Sequence, residues 1–258
     1  MWRGVYIMEM QFEMWSTFHY FMIVSPFILG IGLYKMTQDK SFALKRKVAL
    51  VMGAVLVVIL ASRQIYIFNE YGLGPEVFPF QVCHFGNILL LIVALNKNYR
   101  VIGTIAWCLN FPAGLASVIF ADGLENYSNA LDIQGLAYIA GHTLIVAAGL
   151  YLLLTGMIRV DRKTLLKSYI ILVPVYLLSV MVNNWFVGIF GEVSNYFYTY
   201  APEAGTPLED FYNLGSTINV AGLTFNPVYL IILAIAGALV MYVMYWLAQL
   251  RYIIKKRV

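Results

Sequence analysis

Pro79-Phe80-Gln81-Val82-Cys83-His84-Phe85-Gly86-Asn87 runs directly into Ile88-Leu89-Leu90-Leu91-Ile92-Val93-Ala94-Leu95. The second half is an unbroken apolar run that reads only as membrane-buried. The first half sets a thiol, two amides and an imidazole where lipid-facing helices carry Leu and Val. Polar groups at bilayer depth cost several kcal/mol each unless they are paired. Four of them within seven positions must hold helices together, bind something or do chemistry.

The rest of the chain fits a membrane. It is 61% hydrophobic and 12% charged, with mean hydropathy +0.77. Soluble domains run near 25% charged. The 258 residues suit a single polytopic membrane domain, 1–258, with no room for a large soluble one. The start, Met1-Trp-Arg-Gly-Val-Tyr, lacks the basic segment, short apolar core and small-residue cleavage site of a signal peptide, so the first span is expected to be retained. Cys83 and Cys108 fall in successive spans and do not read as a disulfide framework. There is no Gly-x-x-x-x-Gly-Lys loop, His-Glu-x-x-His or Cys-x-x-Cys, so neither a cofactor nor a metal is expected. The basic clusters lack a DNA-reading motif, so no nucleic acid is expected either.

Seven apolar runs are long enough to cross about 30 Å at 1.5 Å per residue. They lie at about 16–36, 48–68, 78–96, 101–121, 133–156, 166–188 and 225–249, which predicts an all-α seven-transmembrane helix bundle. The charges divide by side. Lys35, Lys40, Lys45, Arg46, Lys47, Lys97, Arg100, Arg159, Arg162, Lys163, Lys167, Arg251, Lys255, Lys256 and Arg257 are fifteen of the seventeen basic residues, and they fall on one side. Glu70, Glu76, Asp122, Glu125, Asp132, Glu192, Glu203, Glu209 and Asp210 fall on the other, with Glu9 and Glu13 before the first span. Basic residues mark the cytoplasmic side, so the N-terminus is expected outside and the C-terminus in the cytoplasm. The longest connection, 189–224, is rich in aromatics and is expected to form an ordered extracellular cap. No internal repeat is evident, which disfavours inverted-repeat transporters.

Topology turns position into depth. Cys83 would lie about 8 Å below the outer edge and His142 about 14 Å. His84, Asn87, Arg63, His19, Asn183 and Asn184 fall in the same half, with Asn110 near mid-membrane. The inner halves hold few such groups. Cys83 and Asn87 share a helix face at i, i+4, and Gln134, Tyr138 and His142 form one stripe that would line a wet cleft. Each residue also has a bland reading. Arg63 snorkels to headgroups unless it holds an anionic group. His19 sits at the interface without a role. Asn183 and Asn184 are interhelical glue. Cys108 is a packed thiol.

A thiol and an imidazole together suit acyl transfer through a thioester, as one use among several. Burial disfavours the thiolate, so Cys83 needs a base to take its proton. His142 is the deep candidate, while His84 points about 100° off the Cys83 side. Arg63, Gln81, His84, Asn87, Tyr138, Asn184, Asn195, Tyr196 and His19 are candidates for binding a headgroup or ester. The substrate would be a membrane phospholipid or lysophospholipid in the bilayer. Two other readings use the same residues: a binding or transport protein for a small polar or lipidic ligand, and a non-catalytic membrane partner. The apolar inner halves offer a transporter no route across.

Ordered motifs carry a resemblance. Phe78-Pro79-Phe80-Gln81-Val82-Cys83, Gly141-His142-Thr143-Leu144-Ile145 with Gly149-Leu150-Tyr151, Asn195-Tyr196-Phe197-Tyr198 with Pro202, Pro207 and Leu208, Asn226-Pro227-Val228-Tyr229, and Phe18-His19 span nearly the whole chain. Their order resembles that of the YwaF-like bacterial membrane protein family. Its eukaryotic relatives include a transmembrane acyltransferase that remodels glycerophospholipids through a catalytic Cys. The resemblance implies Cys83 as acyl-accepting nucleophile, His142 as its partner, and a cell membrane location, the bacterial plasma membrane. Val82 and His84 depart from the family pattern, and the last motif is reduced.

Overall fold

A computed structural model describes residues 11–96, 98–124, 129–203 and 206–255, with the side chains of Asp122 and 251–255 left aside. The readings on the extreme N-terminus, Glu9, Lys97, Glu125, Lys256 and Arg257 lie outside the described residues, as do those on the side chains of Asp122, Arg251 and Lys255. Among the described residues, seven segments are long and apolar enough to cross a membrane.

Caps set most helix starts. Ser16 and Ser41 accept backbone N–H groups at the heads of α1 (Thr17–Thr37) and α2 (Phe42–Tyr71). Asp132 does the same for α6 (Ile133–Thr155), and Asp161 with Thr164 forms a capping box on α7 (Arg162–Phe190). These oxygens satisfy donors that the first helical turn leaves without partners. α6 and α7 stop at Gly156 (φ 83°) and Gly191 (φ 67°), left-handed positions that suit glycine.

α3 (Val82–Leu95) starts four residues later than the expected span. Pro75–Val77 forms a 3₁₀ turn, and Phe78 is extended (φ −87°, ψ 126°). Pro79 explains this, because a residue before proline is pushed out of the helical region. Cys83 therefore sits in the first helical turn, not several residues down a helix.

The fourth span is not one regular helix. It is α4 (Arg100–Ile105), a π turn (Ala106–Asn110) and α5 (Phe111–Ile119). Pro112 has no N–H for the Cys108 carbonyl, and its ring would collide with that oxygen. The widened turn relieves the collision, and the Phe111 N–H reaches back to Ala106.

The expected cap, 189–224, has structure: a 3₁₀ turn (Tyr196–Tyr198), α8 (Pro207–Asn213) and an antiparallel hairpin of β1 (Ile218–Val220) and β2 (Leu223–Phe225). The hairpin is an addition to the all-α expectation. Its two-residue turn, Ala221-Gly222, has positive φ at both positions, as a type I′ turn requires. α9 (Pro227–Lys255) follows.

α6 and the fourth span form the centre, each just over half buried, while the other spans present most of their surface outward. α6 packs against α1, α2, α3 and α5. Glycines allow two close crossings. A Cβ on Gly30 would lie 2.8 Å from the Ala147 carbonyl oxygen, and one on Gly53 would lie 2.7 Å from the Leu91 Cα. Hydrogen bonds to α9 come from the Trp107 indole (to Met244, 2.9 Å) and from Tyr169 and Tyr176. At the basic end Arg46 donates to the Ala94 and Leu95 carbonyls, which the end of α3 leaves open. Arg100 pairs there with Asp161.

Candidate functional site

Cys83 is half-buried at the second position of α3. The N–H groups of Cys83 and His84, orphaned by the helix start, act electrostatically on its sulfur. The partial positive charge of a helix N-terminus adds to them.

Arg63 approaches from α2. It donates to Gln64 (2.9 Å) and pairs with Glu76 at 3.2 Å. Gln64 in turn donates to the Glu76 and Val77 carbonyls, 2.9 and 2.7 Å away. The side chain expected either to snorkel or to hold an anionic headgroup thus clamps the 3₁₀ turn that feeds Cys83. Its guanidinium still acts electrostatically on Cys83, His84 and His142. Glu76 as its counter-ion was not foreseen.

His142 is buried on α6. Its Nδ1 lies 2.8 Å from the Tyr138 carbonyl. A carbonyl only accepts, so Nδ1 carries the proton and Nε2 keeps its lone pair. The Tyr138 ring packs 4.3 Å from the imidazole, and its hydroxyl donates to the Ser117 carbonyl (2.8 Å). Gln134, at the head of the stripe, is buried, so the expected wet cleft is packed there. His84 is also buried, and His142 acts on it electrostatically. Among the described residues, neither imidazole hydrogen-bonds the Cys83 sulfur.

The π turn brings a residue whose role the sequence reading left open. Asn110 is fully buried and donates to the Val82 carbonyl at 2.6 Å, tying the fourth span to the start of α3. A Cβ on Gly86 would meet the Asn110 Cβ at 3.1 Å and Ile145 at 3.5 Å, so the π turn, α3 and α6 converge there. Ile145 is one turn along α6 from His142. The Oδ1 of Asn110, the Oδ1 of Asn87 and the Nδ1 of His84 are buried without hydrogen-bond partners. The sequence signal for the π turn was Pro112.

Other candidates hold structure together. His19 Nδ1 accepts from the Trp15 N–H, and its Nε2 donates to the Val118 carbonyl, both at 2.9 Å. Asn184 accepts from the Thr224 N–H (2.7 Å) and donates to the Thr224 carbonyl (3.0 Å), pinning the hairpin to α7. Asn195 accepts from Tyr200 and Ala201 inside the cap, and Asn183 binds Ser194, Tyr196 and Thr199. The Tyr196 hydroxyl donates to the Pro75 carbonyl, joining cap to 3₁₀ turn. Its phenol is pushed up to about 12, first by burial and then by Glu76. Gln81 precedes α3, and its side chain makes no capping bond.

The cap meets the site in two ways. Cys83 acts electrostatically on Tyr198, and the Phe197 and Phe85 rings lie 5.9 Å apart. An apolar groove of about 150 Å³ runs between the start of α3, α7 and the cap, lined by Phe80, Phe85, Val175, Leu178, Tyr196 and Phe197 among others. No group of three or more metal-ligating side chains occurs among the described residues.

Residues 12–245 match the model of the TMEM164 family. Neither the curated proteins nor the solved structures contain a match.

Proposed function

The chain belongs to the TMEM164 family of membrane proteins, and from that premise we propose that it is a lipid acyltransferase working through a Cys83 thioester. The observation that carries this reading is the placement of Cys83. A half-buried thiol sits at a helix N-terminus, with the orphaned N–H groups of that first turn and the Arg63 guanidinium acting on it electrostatically. Such surroundings stabilise negative charge on a sulfur or on an ester oxygen. His142, with Nε2 free, supplies a base acted on by the same guanidinium.

The chemistry balances without a cofactor. His142 Nε2 takes the Cys83 proton as the sulfur attacks the ester carbonyl of a phospholipid. The C–S bond forms and the ester C–O bond breaks. The lysophospholipid oxygen leaves with the proton from His142. In the second half, His142 takes the proton of an acceptor hydroxyl. The new ester bond forms, the C–S bond breaks, and the sulfur recovers its proton. His142 must close onto Cys83 when substrate binds, a tightening that catalytic hydrogen bonds commonly undergo.

Arg63, Gln81, His84, Asn87 and Tyr138 position the ester and headgroup. Asn184, Asn195, Tyr196 and His19 act through the cap and the packing beneath it. The orientation from the charge asymmetry puts this site in the outer leaflet of the cell membrane.

The test is the intact mass of the purified protein after incubation with phospholipid vesicles. An acyl increment that hydroxylamine removes, and that Cys83→Ser lacks, is the expected result. Lipid acyl exchange that survives Cys83→Ala unchanged would end the proposal. Lipid retained by the wild type without any adduct would favour non-covalent binding instead.

A further inference from the structure

The groove between the start of α3, α7 and the cap is a cavity that the reaction above leaves unused. Val175, Leu178, Ser179 and Val182 recur at i, i+3, i+4 and i+7, so one face of α7 forms its floor. Two aromatic pairs wall it. Phe80 meets Tyr196 edge-on at 5.5 Å, and Phe85 meets Phe197 at 5.9 Å. The hydroxyls of this lining are committed elsewhere. That of Ser179 donates to the Tyr176 carbonyl at 2.7 Å, and that of Tyr196 to the Pro75 carbonyl. What remains is hydrocarbon surface, and it is complementary to hydrocarbon.

Size and setting choose the occupant. An apolar cavity of about 150 Å³ takes a benzene-sized group, about six carbons. The groove has that volume, and a helix, about 10 Å across, does not enter it. Phe80 and Leu178 are 39% and 54% exposed, so the slot opens sideways toward the lipid around the spans. Its other end meets the candidate site. Phe197 lines it, and Cys83 acts electrostatically on the adjoining Tyr198. Phe197 and Tyr198 hold φ of 56° and 55°. That left-handed conformation is costly for bulky residues and persists only where neighbours enforce it. Asn183 helps enforce it, accepting from the Tyr196 N–H at 2.9 Å and donating to the Tyr196 carbonyl at 3.0 Å. The pinned turn keeps the Phe197 ring against the groove.

We propose that this groove is the acyl-chain subsite of the Cys83 thioester, and that Leu178, Val182 and Phe197 set which chains load. This rests on the thioester reading above. The sulfur and the Phe85 ring point about 160° apart around α3, so a chain tethered at Cys83 crosses the helix N-terminus before it enters. The groove therefore grips the middle of the chain, not its first carbons.

The experiment uses the full chain in detergent micelles, with the Cys83 adduct followed by mass. Donors are dihexanoyl and dioctadecanoyl phosphatidylglycerol. Val182→Trp fills the groove, and the ratio of octadecanoyl to hexanoyl loading is expected to fall about tenfold or more, the scale on which apolar pockets discriminate. Leu178→Trp, at an exposed position, replaces it if Val182→Trp fails to fold. A ratio equal to wild type, including an equal fall for both chains, overturns the subsite. A second readout needs no thioester. In Cys83→Ser, phosphatidylglycerol with a mid-chain diazirine is expected to cross-link to 175–182 and Phe197. Adding Val182→Trp is expected to abolish those cross-links while labelling of the exposed Ile170 persists. Equal labelling of the groove and of Ile170 marks an annular lipid only and overturns the subsite. Groove cross-links with no adduct in wild type overturn the thioester reading and leave a lipid-chain site without its tie to Cys83.

Discussion

Tyr196 shows how single side chains couple the cap to the site. Its hydroxyl donates to the Pro75 carbonyl, and burial with Glu76 nearby pushes the phenol up to about 12. A free tyrosine titrates near pH 10. Between about pH 10 and 12 the undocked phenol loses its proton while the docked one keeps it. The docked state then binds more protons, so its stability falls as pH rises. Docking is complete below about pH 10 and is lost as pH passes through about 12. Limited proteolysis of 200–216 against pH is expected to show cleavage rising over that window. Tyr196→Phe leaves the Pro75 carbonyl without its donor, costing about 1 kcal/mol at neutral pH, and flattens the alkaline rise. The same alkaline profile in both proteins would refute this. The two thiols make a second contrast. Cys108 is fully buried and Cys83 is half-buried. In mild detergent a maleimide is expected to label Cys83, and labelling is expected to vanish in Cys83→Ala. Retained labelling would place Cys108 at the surface. That these polar residues fall within the spans was legible in the sequence because span limits follow from hydropathy. Their partners were not. The acceptor for His19 is 99 residues away and that for Tyr196 is 121 away, and no local pattern encodes such distances.

At the scale of elements, hydropathy and charge located all seven spans, while the departures trace to proline and glycine. Pro79 delays α3, and Pro112 opens the π turn that aims Asn110 at Val82. Both prolines were visible, yet a hydropathy window averages a single proline with its apolar neighbours and hides the break. The hairpin turn at Ala221-Gly222 was equally local but lay in a connection without periodicity. Pro112→Ala restores the missing N–H and is expected to let the fourth span close into a regular helix. Asn110 would then rotate away from Val82. The expected outcome is unchanged helical content by circular dichroism with at least a tenfold loss of acyl exchange. Full exchange in Pro112→Ala would show that the π turn has no bearing on the site. Two glycines of α1 separate crossing from propensity. Gly30→Ala puts a methyl 2.8 Å from a carbonyl of α6 and is expected to cost about 1–3 kcal/mol. Gly32 has nothing within 4 Å, so Gly32→Ala is expected to stabilise by about 0.5–1 kcal/mol through helix entropy alone. Equal thermal shifts for the two would mean that the α1–α6 crossing is looser than drawn.

For the whole molecule, seven spans and one charge asymmetry fix more than the fold. Each crossing switches sides, so every second connection lies on one face. The connections at 38–41, 96–99 and 156–161 thus share an end, and 72–81, 120–132 and the cap share the other. Basic residues gather at the first end and acidic ones at the second, as insertion favours when the basic end stays in the cytoplasm. The proposed orientation puts the cap, Glu76 and Cys83 together at the outer leaflet, so that the lipids proposed to reach the thiol are those of that leaflet. Single cysteines in a Cys83→Ala, Cys108→Ala background test this directly. Leu214 lies exposed in the cap, 68% accessible, and Lys163 is exposed at the start of α7. A membrane-impermeant maleimide is expected to label Leu214→Cys on intact cells and Lys163→Cys only after lysis. The reverse pattern would turn the molecule over and move its chemistry to the inner leaflet. Labelling of both from outside would break the seven-span alternation on which the depth of Cys83 and His142 depends.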